Sequence, residues 1–365
     1  MDFSFSEDQE ALRELCRKIL DDQVTPERLK ELEAGDDWFD RETWKALGDA
    51  GLLGLALPED HEGGGLGFLE LAIVCEEVGR AVAPLPVLPS IAGAALAIAE
   101  FGTDAQRSRW LPAAATGDAV LTVALEEPQG DPRLPVVTAR RNADAWSLTG
   151  DKHLVPAVHL ASGIVASATT EHGPALFLVD PTDTSLTSER SIATDGQPVF
   201  ALTFAETPAE RLGDGGELPW LLARLTSAMC VVQAGVSERA LRITADYVST
   251  REQFDHPLAA FQAVSQRAAD AYIDVEAIRL TAWQAAWRIS EGLPAEDEIT
   301  IAKWWAAEGG SRVAHTAQHL HGGVGADVDY PIHRYFWWTK MLELSLGGPS
   351  AQLRTLGASL AGPHD

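Results

Sequence analysis

The sequence predicts a mainly helical α+β protein with an N-terminal helical domain, a middle antiparallel β-sheet or small barrel, and a C-terminal four-helix bundle. Two observations carry this prediction. Apolar residues recur at helical spacing near both ends of the chain, and short apolar runs alternate with turn residues between them. The corresponding domains are predicted at residues 1–117, 118–212 and 213–365.

The N-terminal domain begins with a clear helix signal. Ser6 can cap a first helix, because its side-chain oxygen can accept a hydrogen bond from a free amide of the first turn. Apolar residues follow at helical spacing over residues 12–19. A loop rich in glycine and proline, residues 57–67, precedes a second apolar helix face over residues 69–78.

The middle domain is predicted from apolar runs that are too short for helices and are bounded by turn residues. These runs are residues 120–125, 145–148, 163–167, 175–179 and 199–204. Helical spacing then returns in four long segments, which favours a four-helix bundle. These segments are residues 221–236, 261–278, 301–318 and 332–346.

The composition and charge of the chain argue against several classes of function. The formal net charge of −26 disfavours a surface that binds nucleic acid or anionic membranes, because phosphate groups are repelled. No uncharged apolar stretch reaches the roughly 18 residues that a membrane span needs. Cys16, Cys75 and Cys230 make neither a complete disulfide set nor a metal-ligand spacing, so no metal site is predicted. The acidic start of the chain is unlike a signal peptide, and a cytoplasmic location is expected.

Several motifs occur in one order along nearly the whole chain. They are Gly51–Glu59, Glu76–Arg80, Phe101–Pro112, Arg251–Phe254 with Phe261 and Gln262, His321–Gly325, and Tyr330–Tyr335. This ordered set resembles the acyl-CoA dehydrogenase family. The resemblance implies that family's fold, the cofactor flavin adenine dinucleotide (FAD) and an acyl-CoA substrate. In the family a carboxylate removes the proton alpha to the thioester while the beta hydrogen leaves as hydride to the flavin.

Members of this family build each flavin site from two subunits, one around the flavin ring and its neighbour around the adenosine diphosphate end. The resemblance assigns the second role to a set of residues that is largely present in this chain. The planar guanidinium of an arginine can donate paired hydrogen bonds to pyrophosphate oxygens, and paired glycines let backbone amides approach a phosphate closely. Two residues depart from the family pattern, because His319 replaces a glutamine and Asp255 replaces a glycine. The predicted cofactor-binding residues are Arg251, Phe254, Gln262, Gln318, His319, Gly322 and Gly323.

The residues that would surround a flavin ring within the same chain are replaced. Glu126 stands where the family has a hydroxyl, and Leu154 and Pro156 stand at aromatic and threonine positions. Proline also lacks the backbone N–H that a flavin hydrogen bond needs. The two usual positions of the catalytic base hold Gly347 and Leu225, which cannot accept a proton. No catalytic residue is therefore predicted.

This asymmetric loss favours a non-catalytic subunit that completes the FAD site of a related catalytic acyl-CoA dehydrogenase subunit. The tract from Asp327 to Gly348 is similar to actinobacterial members of the family, some of which form two-plus-two complexes that act on steroid-side-chain thioesters. Two alternatives stay open. One is a self-sufficient homo-oligomeric enzyme with a displaced acid, and the other is a structural relative that binds neither ligand. The candidate displaced acids are Glu126, Glu127, Glu343 and Asp255.

Overall fold

The computed structural model describes residues 4–128, 130–143 and 145–362, which form two compact units. One unit joins residues up to Val74 with Pro84–Leu225, and the other joins Cys75–Ala83 with residues from Thr226 onward. The predicted order of helices, strands and helices is confirmed. The three-domain division at residues 117 and 212 remains a prediction.

The first unit begins with helices whose ends are capped by side chains. Ser6 caps the first helix as predicted, because its Oγ accepts from the Gln9 amide at 3.2 Å and its own amide donates to Gln9 Oε1 at 3.0 Å. A π-helical segment, Val87–Ala95, interrupts the later helices. The helices are α1 (Glu7–Gln23), α2 (Pro26–Glu33), α3 (Arg41–Asp49), α4 (Phe68–Ala81), α5 (Leu96–Phe101) and α6 (Asp104–Ala115).

Helix α3 is capped by a buried carboxylate. Asp40 accepts hydrogen bonds from the Thr43 hydroxyl at 2.8 Å and from Arg28 Nη2 at 3.0 Å. Burial raises the pKa of Asp40, but the hydrogen bonds from Arg28 and Thr43 outweigh burial and hold that pKa below its ordinary value. The ionised cap therefore fixes α3 to the loop before it.

The strands of the first unit are β1 (Val120–Ala124), β2 (Thr138–Asn142), β3 (Ala145–Pro156), β4 (Ala161–Thr170), β5 (Gly173–Val179), β6 (Leu186–Ile192) and β7 (Pro198–Leu212). Hydrogen-bonded neighbours run from β4 through β2, β3, β7 and β5 back to β4, so five strands close into a small barrel. Strand β1 is added beside β4, and β6 is added beside β7. Phe177, Phe204, Leu148 and Leu202 are buried in the core of this sheet.

The predicted sheet is present, but it is mixed rather than antiparallel. β1 and β2 both run parallel to β4, whereas the other pairs are antiparallel. A parallel pair needs a long crossover connection. The chain between β1 and β4, which includes the β2–β3 hairpin, supplies this crossover, and apolar spacing alone does not show it.

The second unit is helical, and the four predicted long segments are found as α7, α8, the continuous run of α9 and α10, and α11. A π-helical segment, Trp305–Gly309, joins α9 to α10. A further helix, α12, was not predicted and packs against α9. The elements are α7 (Glu217–Thr250), the hairpin strands β8 (Glu252–Gln253) and β9 (His256–Pro257), α8 (Gln262–Ser290), α9 (Glu296–Trp304), α10 (Gly310–His321), α11 (Ile332–Leu344) and α12 (Pro349–Ala361).

The end of α4 is built into this second unit by close backbone contact with α7. A Cβ added at Gly79 would lie 2.1 Å from the Val232 carbonyl oxygen, and one added at Gly235 would lie 2.0 Å from the Glu76 carbonyl oxygen. Only glycine permits this approach. Helix α7 is long and apolar enough to cross a bilayer, but 78% of its most apolar window is buried inside the protein, as in the core helix of a globular fold.

Candidate cofactor-binding site

The turn after α7 displays two of the predicted cofactor-binding residues. The backbone of Arg251 is held on both sides: its amide donates to the Tyr247 carbonyl at 2.8 Å, and its carbonyl accepts from the Leu258 amide at 2.8 Å. The Arg251 side chain is exposed. Within the described ranges no carboxylate pairs with its guanidinium, so its N–H donors are available to a ligand.

The hairpin between β8 and β9 turns at Phe254 and Asp255, which both have positive φ, +55° and +63°. Two successive positive φ angles are typical of a type I′ turn, which aspartate tolerates better than phenylalanine does. The turn leaves the Phe254 side chain 85% exposed, and its ring makes an edge contact with Phe261 at 6.2 Å between ring centroids. A large apolar ring held in this way is available to a ligand or to another subunit.

The predicted glycine turn follows α10. Gly322 has φ +59° and ψ −136°, a backbone conformation that favours glycine. A Cβ added at Gly322 or Gly323 would meet no atom within 4 Å, so the space beside both residues is open. Gln318 holds the turn in place, because its Nε2 donates to the Gly325 carbonyl at 2.5 Å, while its buried Oε1 finds no hydrogen-bond partner among the described residues.

Three aromatic rings connect these two segments. His321, the last residue of α10, stacks on Tyr247 with ring centroids 4.5 Å apart, and Tyr330 contacts both rings. Tyr247 lies one helical turn before Arg251, and His321 immediately precedes Gly322. The stack therefore brings Arg251 and the glycine turn into one region of the second unit. Sequence reasoning missed Tyr247, and it named His321 and Tyr330 only as parts of family motifs without a place in the site, although Tyr247 lies just before the Arg251 motif, which was a usable signal.

Two predicted cofactor-binding residues, Gln262 and His319, are not part of this three-ring stack. Gln262 is the first residue of α8 and His319 lies in the last turn of α10, and both are exposed. Among the residues that the structure describes, no hydrogen bond connects either side chain to Arg251, Gln318 or the glycine turn. Their assignment to the cofactor remains a prediction.

The segment in which the family carries its base contains no acid and has a constrained backbone. Gly347 has φ +94°, and the residue before it, Leu346, has φ +54°. Gln352 Nε2 donates to the Gly347 carbonyl at 3.0 Å and to the Leu346 carbonyl at 3.3 Å, which holds this loop closed. A glutamate at position 347 would place a side chain on a backbone that L-residues rarely adopt. The other base position, Leu225, is apolar and buried.

Two of the candidate displaced acids are already paired. Glu343 forms an ion pair with Lys340 at 2.8 Å. Glu127 forms a fully buried ion pair with Lys152 at 2.6 Å and also accepts from the amides of Val136 at 2.6 Å and Val137 at 3.1 Å. Both carboxylate oxygens of Glu127 therefore already accept hydrogen bonds. Glu127 thus lacks the free oxygen that a displaced base needs, whereas Glu343 is held by Lys340 through one oxygen, Oε2.

Lys152 is the partner that makes the Glu127 site structural. Its ammonium group has no exposed surface and also donates to Ser167 Oγ at 2.8 Å. Burial lowers the pKa of Lys152 to about 8, and the hydrogen bond that Lys152 donates to Glu127 opposes this shift. The pair ties the segment after β1 to β3 and β4.

The residues next to this pair do not fit a flavin ring. Leu154 sits on an irregularity of β3 with φ +51° and is 58% exposed. The carbonyl of Pro156 already accepts from Thr122 Oγ1 at 2.5 Å, and this proline has no N–H to offer. Of the described residues here, Pro156 offers no donor to a ring, whereas in the second unit the Arg251 side chain is exposed and the space beside the glycine turn is open.

Comparison with known proteins gives the chain a family. The model of the acyl-CoA dehydrogenase N-terminal domain matches residues 6–118, and that of the C-terminal domain matches residues 222–361. Acyl-CoA dehydrogenase FadE27 of Mycobacterium tuberculosis is 41% identical, with 99% of each chain covered.

Two solved structures are also similar over nearly the whole chain. One, a variant of the Tcur3481–Tcur3483 steroid acyl-CoA dehydrogenase, has 46% identity and a TM-score of 0.94 and covers 97% of this chain and 98% of its own. The other, the ChsE4–ChsE5 complex of Mycobacterium tuberculosis, has 41% identity and a TM-score of 0.96, with 100% of each chain covered. The chain is therefore a member of the acyl-CoA dehydrogenase family, the oxidoreductases that act on CH–CH bonds, and resembles its heteromeric actinobacterial members.

Proposed function

We propose that this chain is the non-catalytic subunit of a heteromeric acyl-CoA dehydrogenase and completes the FAD site of a related catalytic subunit. The observation that carries the proposal is the state of the two base positions. Gly347 lies in a closed loop with φ +94°, and Leu225 is a buried apolar residue, so neither position offers a proton acceptor. In the second unit, by contrast, the Arg251 side chain is exposed and the space beside Gly322 and Gly323 is open.

The role of the chain in the reaction is to hold and orient the cofactor. When bound, FAD supplies the hydride acceptor for α,β-dehydrogenation of an acyl-CoA thioester. Arg251 is suited to hold two pyrophosphate oxygens through its planar guanidinium, and the amides of Gly322 and Gly323 can donate to the same group. Phe254 can pack on the cofactor beside them.

The similar proteins support the proposed partner and substrate class. One similar structure is named as a complex of two different chains, and the other as a steroid acyl-CoA dehydrogenase with two named components. We infer a hetero-oligomeric assembly with a related catalytic chain and a bulky steroid-side-chain CoA ester as its substrate. Three buried cysteine thiols fit a reducing compartment such as the cytoplasm.

Co-purification tests this proposal. The chain is purified alone and together with the acyl-CoA dehydrogenase encoded beside its gene, and flavin is measured by absorbance. We expect a colourless lone chain and a yellow complex with about one flavin per pair of chains, as a shared site requires. A yellow lone chain that an acyl-CoA reduces would instead support the homo-oligomeric enzyme with a displaced acid.

A substitution then tests which residues of this chain contact the cofactor. Arg251→Ala is expected to lower flavin retention in the complex, because it removes the charged donor for the pyrophosphate. Arg140→Ala provides the control, since Arg140 is an exposed arginine on β2. Equal flavin content in both variants would remove Arg251 from the site.

A further inference from the structure

We propose that His321 is a positioning residue that joins Arg251 and the Gly322–Gly323 turn into one phosphate-binding unit. This inference rests on the proposed function, because it concerns the same cofactor contact. His321 itself does not touch the ligand in this proposal. It acts by fixing the two groups that do.

The hydrogen bonds of His321 define its tautomer. The ring is 3% exposed, and Nδ1 lies 2.7 Å from the Ala317 carbonyl oxygen. A carbonyl oxygen can only accept, so Nδ1 carries the proton of the neutral ring. Nε2 is then the acceptor for the Tyr330 hydroxyl at 3.2 Å. Both nitrogens are used, so the ring plane is fixed.

The ring plane in turn fixes the end of α7. Tyr247 stacks on His321 with 23° between the ring planes, and its carbonyl accepts from the Arg251 amide. In the described parts of the chain, no hydrogen bond or ion pair directly joins residues 250–257 to residues 322–326. The three-ring stack therefore links the backbone that carries Arg251 to the backbone that carries the glycine turn.

The protonation state of His321 matters to this connection. Burial lowers the pKa of His321, so the ring is neutral at pH 7. Tyr247 faces it from α7 and Tyr330 from the segment before α11, and Asp246 acts on Tyr330 through its charge. A protonated ring would force Tyr330 to accept instead of donate and would place an uncompensated cation in the stack.

Three variants of the complex with its catalytic partner test the inference. His321→Phe keeps a ring for Tyr247 but loses both hydrogen bonds, and His321→Gln keeps a donor and an acceptor. His315→Phe is the matched control, because His315 is an exposed histidine on the same helix. The dissociation constant for FAD is measured by fluorescence titration of the flavin-free complex, and thermal unfolding is followed beside it.

We expect His321→Phe to weaken FAD binding by at least about tenfold, because it loses both hydrogen bonds that fix the ring and one net hydrogen bond alone corresponds to about tenfold. His321→Gln should restore most of this loss, and His315→Phe should bind as the wild type does. Wild-type affinity should fall only at acidic pH, below the ordinary histidine pKa of about 6.5 because burial lowers the pKa of His321, and the glutamine variant should not share this fall. Arg251→Ala should cost less affinity in the His321→Phe background than alone, because the arginine is already misplaced there.

Two results would overturn this inference without affecting the proposed function. One is unchanged FAD affinity in His321→Phe, and the other is strictly additive effects of the Arg251 and His321 substitutions. A wild-type complex that binds no FAD would overturn the proposed function and this inference together. A general loss of stability would lower the unfolding temperature of His321→Gln and His321→Phe alike without changing the pH profile, and it would also count against positioning.

Discussion

The buried pair of Lys152 and Glu127 gives the sharpest test of the view that Glu127 is structural and not a displaced base. Glu127→Gln removes the counter-charge of an ammonium that has no exposed surface. Lys152→Met removes the cation and leaves Glu127 with the amides of Val136 and Val137. The double substitution removes both charges and keeps similar side-chain volumes.

The expected costs follow from what each change leaves unpaired. Glu127→Gln is expected to lower the free energy of unfolding by about 3–5 kcal/mol, because a buried cation loses its partner. Lys152→Met should cost about 1–3 kcal/mol, since two backbone donors still satisfy the carboxylate. The double variant should cost less than the sum of the two, with a coupling energy of about 2 kcal/mol.

Urea denaturation followed by tryptophan fluorescence and by circular dichroism measures these free energies, and agreement between the two probes checks that one transition is observed. The pKa of Lys152 is lowered to about 8 from 10.5, so the unfolded chain binds more protons between these values. Wild-type stability relative to Lys152→Met should therefore rise as the pH increases through that window. Additive costs within about 0.5 kcal/mol would refute the direct interaction.

Three further predictions concern single positions. Gly347→Glu should cost about 1–3 kcal/mol of stability through backbone strain, and the lone chain should remain unable to reduce flavin with an acyl-CoA in a stopped-flow assay. Asp40→Ala should cost about 2–4 kcal/mol in urea denaturation by removing the buried cap of α3, whereas the exposed Asp37→Ala should change stability by less than about 0.5 kcal/mol. Because the pKa of Asp40 is held low, its contribution is present at neutral pH and should be lost as the pH falls below about 4. Gly322→Ala should cost about 1–3 kcal/mol because φ is +59°; Gly323→Ala, whose φ is not positive, should leave stability nearly unchanged but lower the flavin content of the complex.

The broad architecture was predictable because its signals are local. Helical spacing and runs bounded by turn residues depend on near neighbours in sequence, and both survive in the folded chain. Within the sheet of the first unit, the two strands that the apolar runs did not predict, β2 and β6, are mostly polar and exposed, so they carry little apolar signal. Whether β1 runs parallel or antiparallel to β4 depends on which strands pair in the folded chain, and no local sequence pattern determines that pairing.

The candidate site was predicted in part for the same reason. Arg251 and the Gly322–Gly323 turn are marked by short motifs. The stack that joins them is made by Tyr247, His321 and Tyr330, which come together only after α7 and α10 pack side by side. The pairing of Glu127 with Lys152 is likewise a contact between separate strands. This contact gives Glu127 a structural role, and no residue close to Glu127 in sequence indicates that role.

The backbone contact between Gly79 on α4 and Val232 on α7 has a consequence for synthesis on the ribosome. Their positions differ by 153 residues, from 232 minus 79. At elongation rates of about 5–20 residues per second, the end of α4 waits roughly 8–30 seconds for the helix that covers it. During that interval its apolar face is open to chaperones and to other nascent chains. Expression at lower temperature or with added chaperones should therefore raise the yield of folded chain more than changes to the exposed surface would.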